Sequence, residues 1–258
     1  MKLPADRAEL PGKVISFYIV PLDLAHSAGL AGHVPARRGE KEIVSVYQGT
    51  DEMTSPYKNF EELTQQEVED KDYQIRVRLR DERVLVMAPH GGKIEPTTSM
   101  IAEAIAGENY SYYSFEGLKT DGNGILHIES HLFDEPRALQ AVKKADIVIT
   151  VHGQLDHKEG FIMVGGLHVD LRSEIRRRLE AAGFQTRTPP EGLQGIDPEN
   201  ICNRGRLKGG VQLEVSRKER DSLRTDQERL TRFAAAIREA IQSCFDGRRT
   251  KSPSLSKP

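Results

Sequence analysis

Between residues 51 and 245 the chain alternates short apolar runs with longer amphipathic stretches, the pattern of an α/β domain. RVLVMA and DIVITV are apolar throughout and read as strands covered on both faces. YQIRVRLR alternates apolar and basic residues and predicts a further strand, as do YSYYSF and FIMVGG. FEELTQQEVED predicts a charged helix. In TTSMIAEAIAG the stripe is Met100, Ile101, Ala104 and Ile105, with Pro96 suited to the first turn and Gly107 to the stop. DEPRALQAVKKA is a helix leading into the DIVITV strand, and in VDLRSEIRRRLEAAGF the apolar residues Leu171, Ile175 and Leu179 recur every fourth position before Gly183. ERLTRFAAAIREAIQSCF repeats the stripe at Leu230, Phe233, Ile237 and Ile241.

What lies between and around these elements sets the domain plan. Residues 188–210 are rich in Pro, Gly and Asn and form a loop long enough to be a candidate for binding. Residues 1–45 are expected to be a poorly ordered N-terminal extension, 46–247 the folded domain and 248–258 a disordered polar tail. VISFYIVPLDLA resembles a signal-peptide core, but Pro21 and Asp23 interrupt it, so neither export by that route nor a membrane span is expected. A formal net charge of −2 gives no global basic field for nucleic acid, so an anionic ligand would have to be held by local arginines. The two cysteines, Cys202 and Cys244, make no disulfide framework and no CxxC pair.

The chemistry collects where hydrophobic segments stop. VLVMAPHGGKIEP carries His90 and Glu95, DIVITVHG carries His152, and GGVQLEVS carries Glu214. In parallel sheets ligands gather at the carboxyl ends of strands, where both histidines fall. Two histidines and a carboxylate are a minimal hydrolytic zinc set with a position left for water, and a second carboxylate can take that water's proton. Gly91 and Gly92 would free the backbone to bring His90 and Glu95 to one ion, although a glycine turn followed by an acid at a helix entrance reads equally as ordinary structure. In ILHIESHLF, His127, Glu129 and His131 alternate as a rival constellation, more simply an exposed face or surface loop. In VQLEV, Gln212 and Glu214 alternate with apolar neighbours and could equally face solvent on an edge strand. Arg204 and Arg220 flank Glu214 in sequence and are candidates for gripping a substrate carboxylate or an oxyanion. No GxSxG elbow for a serine nucleophile occurs.

Several ordered motifs carry a resemblance: YKNFEEL, APHGGKIEPTTSMIAEAIAG, HIESHLFDEP, DIVITVHG, the glycine pair before HVDL, NICNRGRLKGGVQLEVSR and KERDSL. Over roughly residues 55–245 the chain resembles the poly-gamma-glutamate hydrolases of bacteria and their phages. That family is similar to zinc carboxypeptidases, which implies a mixed, largely parallel central sheet flanked by helices and one zinc ion. The resemblance implies His90, Glu95 and His152 as ligands and Glu214 as general base. It also implies action on γ-glutamyl amide bonds of poly-γ-glutamate; a monomer is expected, with a cytoplasmic or phage-released location favoured over signal-peptide export. Another γ-glutamyl or cell-wall peptide, or a binding protein of the same fold without turnover, are the alternative expectations. Two departures stand out. Zinc carboxypeptidases usually place two residues between the first His and Glu, where PHGGKIE has four; and Asn203-Arg204 follows the second histidine rather than preceding it.

Overall fold

The computed structural model describes residues 56–249, which all fall within one compact unit, Met53–Pro258. The expected N-terminal extension, and all but the first two residues of the expected tail, lie outside the described residues. Seven strands among the described residues build one sheet: β1 (Tyr73–Arg78), β2 (Asp81–Gly92), β3 (Tyr110–Gly117), β4 (Ile147–Gln154), β5 (Ile162–Gly165), β6 (Thr186–Arg187) and β7 (Val211–Ser216). Their order is β1-β3-β2-β4-β7-β5-β6. The central β3-β2-β4-β7 block is parallel, while β1 joins β3 and β5 joins β7 antiparallel. A mixed, largely parallel sheet is therefore what the chain forms.

Helices cover both faces, because parallel strands need crossovers and their two faces must both be buried. They are α1 (Phe60–Thr64), α2 (Thr98–Ala106), α3 (Pro136–Lys144), α4 (Val169–Ala181), α5 (Arg217–Thr225) and α6 (Gln227–Arg249). Alternation along β2 separates two cores. Val84, Val86 and Ala88 pack with Ile101, Ile105, Phe233 and Ile237, whereas Leu85 and Met87 join Tyr113, Phe115, Phe133 and Ala138 on the other side. Among the described residues no helix is long and apolar enough to cross a membrane.

Four local expectations need correction. The charged helix shrinks to α1, since only Leu63 within it is buried and the rest of FEELTQQEVED offers little to pack. Helix α2 starts at Thr98 rather than Pro96, after Thr97 in a left-handed conformation at φ 85°, and buries Ala102 where Met100 and Ala104 are only partly covered. The segment around His127 is not a strand: a 3-10 turn, Asn123–Leu126, precedes it, and His127 is buried while Glu129 and His131 are exposed. Strand β7 is no edge. It lies between β4 and β5 and buries all six residues, Gln212 and Glu214 included. Helix α5 has no counterpart in the sequence reading because RKERDSLRT carries a single apolar residue, Leu223; Ser216 caps its start by accepting from the Glu219 N–H.

Candidate metal centre

A register shift builds the first half of the site. By alternation His90 should share the Val84–Ala88 face, but β2 slips against β3 between Ala88 and Gly91. His90 instead meets the opposite core, its ring 6.3 Å from that of Phe133 and its Nε2 2.7 Å from the Ile128 carbonyl. A bulge at the end of a strand re-aims a side chain in this way. Beyond it the Glu95 N–H donates to the His90 carbonyl at 2.9 Å, and Thr98 Oγ1 donates to the Glu95 carbonyl at 2.8 Å. This closed turn is why four intervening residues still bring the two side chains together. Glycine is needed inside it: a Cβ at Gly91 would lie 2.3 Å from Ser99 Oγ, and Gly92 has φ +62°.

His152 arrives on β4, and the β4–β7 register pairs it directly with Glu214. His90, Glu95 and His152 each offer a ligand atom within 4.8 Å of one another, and all three are buried. His90 Nδ1 lies 3.2 Å from His152 Nδ1 and 3.3 Å from Glu95 Oε1. Because the Ile128 carbonyl can only accept, His90 Nε2 carries a proton and Nδ1 is the atom turned to the centre. Glu95 Oε2 accepts from the Gly153 N–H at 2.7 Å. Outer bonds of this kind orient metal ligands, and two imidazole nitrogens with one carboxylate are a zinc-type donor set.

The electrostatics favour a cation. Burial works against the Glu95 carboxylate, but His90, His127 and His152 outweigh it and hold the group well below the usual carboxylate range. Burial also opposes a charged His90, yet Glu95 raises its pKa, so the cluster draws positive charge to itself. His152 behaves differently: burial, reinforced by the other two histidines, pushes it down to about 3 despite Glu95, which leaves its ring neutral and able to ligate at neutral pH.

Glu214 is 6% exposed, and its Oε1 accepts from Gln212 Nε2 at 2.9 Å. Burial, then the Glu95 charge, pushes its carboxyl well above the usual range in spite of that bond. A raised folded-state pKa contributes stability that is present below the ordinary value of 4.5 and lost as pH rises through the folded value. In metal-free protein, Glu214→Gln is therefore expected to gain on the parent as pH rises above 4.5, by up to about 1.4 kcal/mol per pH unit. Paired thermal melts at acidic and neutral pH measure this; a pH-independent difference would mean that the carboxylate is solvated.

The two candidate arginines both bond to backbone carbonyls. Arg220 is 2% exposed and its three guanidinium nitrogens donate to the carbonyls of Val215, Pro96 and Gln154 at 3.1, 2.5 and 3.2 Å. It braces the backbone beside Glu95 and after His152. Gly153 admits it, since a Cβ there would lie 2.7 Å from the Arg220 Cζ. Arg204 is half-buried and donates to the Phe133 carbonyl. Asn203 is absorbed by the 188–210 loop, accepting from the Leu167 and Gly210 N–H groups and donating to the Gly195 and Asp197 carbonyls. His127, whose segment looks like an exposed face in the sequence, lies against His90 with ring centroids 3.7 Å apart and planes tilted by 33°, and places Nε2 3.5 Å from Glu95 Oε1.

Residues 57–243 match the model of the poly-gamma-glutamate hydrolase family. The chain is 38% identical over 189 residues to the SPbeta prophage-derived UPF0714 protein YoqZ of Bacillus subtilis (strain 168), covering 72% of this chain and 66% of that protein. It is 39% identical over 169 residues to the UPF0714 protein YndL of the same organism, covering 65% of this chain and 66% of YndL. The match thus spans slightly less than two thirds of these relatives. Among solved structures, a bacteriophage poly-gamma-glutamate hydrolase superposes with a TM-score of 0.72 at 30% identity, over 75% of this chain and 99% of that one. A zinc-free form of YndL superposes with a TM-score of 0.70 at 34% identity, over 74% of this chain and 100% of that one.

Proposed function

Since the chain belongs to the poly-gamma-glutamate hydrolase family, we propose that it is a zinc-dependent hydrolase of γ-glutamyl amide bonds that depolymerises poly-γ-glutamate. The observation that carries this reading is the buried convergence of His90, Glu95 and His152 at the ends of two parallel strands, with Glu214 in register beside His152. His90 Nδ1, Glu95 and a ring nitrogen of His152 would hold the ion. Zinc bound there supplies Lewis acidity for an amide carbonyl and acidifies a water.

The chain's own residues do the rest. Glu214 takes a proton from the attacking water and passes it to the departing amine, a task suited to a carboxyl whose pKa is raised by burial. The Gly153 N–H and the protonated His90 Nε2 keep the ligands in place. Arg220 ties the Pro96 carbonyl to the Gln154 carbonyl and so braces the turn that carries Glu95 against the end of β4. Selectivity falls to the loop of residues 188–210, whose Arg204 would exchange its bond to the Phe133 carbonyl for one to a substrate carboxylate. In a γ-linked chain the free carboxylate lies on a different carbon relative to the scissile carbonyl than in an α-linked chain, and fixed donors discriminate such spacings.

The test compares poly-γ-glutamate with α-linked polyglutamate by size-exclusion profile. The γ-linked polymer is expected to fall to short oligomers while the α-linked one stays nearly intact; equal degradation of both, or of neither, would overturn the substrate assignment.

A further inference from the structure

Behind Glu214 runs a chain of side-chain amides whose direction is determined at its far end. The Cys202 backbone N–H can only donate, and it donates to Asn200 Oδ1 at 3.1 Å. Asn200 Nδ2 is therefore the atom facing Gln212, and it donates to Gln212 Oε1 at 2.8 Å. That leaves Gln212 Nε2 to face Glu214 Oε1 at 2.9 Å, with a second, longer bond of 3.4 Å to the Leu193 carbonyl. Each amide has one orientation that satisfies its partners, and all three side chains are buried, at 7%, 5% and 6% exposure for Asn200, Gln212 and Glu214.

Building on the reading of Glu214 as general base, we infer that Gln212 is its positioning residue, held in orientation by Asn200, and that it reserves Oε1 of Glu214 as an acceptor so that Oε2 alone carries the transferred proton. A donor fixed on Oε1 disfavours protonation there, since a proton on that oxygen would face an N–H. It also holds the carboxylate plane, and a base misplaced by a fraction of an ångström loses rate even though its chemistry is unchanged. Asn200 and Leu193 both belong to the long loop of residues 188–210, so the orientation of the base is tied to the order of the segment proposed to meet substrate.

Two substitutions separate positioning from folding. Gln212→Met keeps length and apolar packing but removes the donor; kcat is expected to fall at least about tenfold, with KM within about twofold and zinc content unchanged. Asn200→Asp keeps the acceptor for the Cys202 N–H but offers Gln212 no donor, which turns the Gln212 amide so that its oxygen faces Glu214; a kcat loss at least as large is expected. In a Glu214→Gln background neither substitution should lower the residual rate further, because both act through Glu214. Wild-type kcat in both variants, or losses that persist undiminished in the Glu214→Gln background, would overturn the assignment. A readout without turnover is the side-chain amide signal of Gln212 in 15N-glutamine-labelled protein, expected to be protected from exchange and to move on Glu214→Ala and on Asn200→Asp. If that signal responds as expected while the parent fails to cleave poly-γ-glutamate, the substrate reading is wrong and the orienting chain stands; if the signal is unprotected and unmoved, the chain itself is wrong.

Discussion

Glu214→Gln is expected to retain one zinc per chain and to lose at least about 10²-fold in turnover, within the range that a positioned general base contributes. The expectation rests on where Glu214 sits. It is paired in register with His152, buried, outside the His90, Glu95 and His152 set, and has one oxygen already committed to Gln212. Glutamine preserves size and one oxygen but cannot accept and return a proton. Metal analysis and rate on the same preparation distinguish the outcomes. Near-normal turnover would remove Glu214 from the chemistry, and loss of zinc along with activity would make it a ligand.

His152→Ala is expected to weaken zinc binding by more than about 100-fold, beyond what changes to the outer shell of a metal site produce, and to reduce hydrolysis to background at limiting metal. Burial holds the His152 ring neutral near pH 7, with its pKa pushed down to about 3, so removing it takes away a nitrogen already in ligating form. Two protein donors are a poor hold for zinc, and the cavity left would admit water around the Glu95 carboxylate. His131→Ala, at an exposed position, is the control and should change neither quantity. Dialysis against a graded chelator, followed by metal analysis, measures the difference. If His131→Ala sheds zinc and His152→Ala does not, the metal belongs to the 127–131 segment.

The parts of this site that could be read from sequence are those set by short-range pattern. Two buried strands announce themselves as apolar runs, and a histidine at the end of each, one followed by two glycines, marks a meeting point whatever the details of packing. The parts that could not be read are set by partners distant in the chain. The slip between Ala88 and Gly91 moves His90 from one core to the other, and no periodicity encodes it. Gln212 and Glu214 have the alternation of a strand with one wet face, yet β5 pairs along one side of β7, and the Asn200 amide of the preceding loop bonds Gln212, which in turn bonds Glu214. Their polar groups are paired inside the protein rather than solvated. His127 looks like one of three residues on an exposed face; the 3-10 turn before it breaks that face and buries it alone against His90. Arg220 looks like a free cation near Glu214, and the absence of a side chain at Gly153, 67 positions earlier, lets it become an internal brace.

The spacing that departs from zinc carboxypeptidases also has a physical explanation. Four residues separate His90 from Glu95, and the hydrogen bond from the Glu95 N–H back to the His90 carbonyl folds them into a turn that returns the carboxylate to the ring. Thr97, with φ 85°, completes the reversal into α2 at a conformation that costs a non-glycine residue of order 1 kcal/mol, and the Arg220 bond to the Pro96 carbonyl helps hold it. Strain of this size is tolerable where the surrounding contacts over-determine the backbone.

The most direct measurement is a zinc titration of metal-free protein with poly-γ-glutamate cleavage as the readout. Activity should be absent without metal, rise linearly and level off at about one zinc per chain, as one His2Glu site requires. Full activity in the metal-free protein, or none at one equivalent of zinc, would contradict a zinc-dependent hydrolase built on His90, Glu95 and His152.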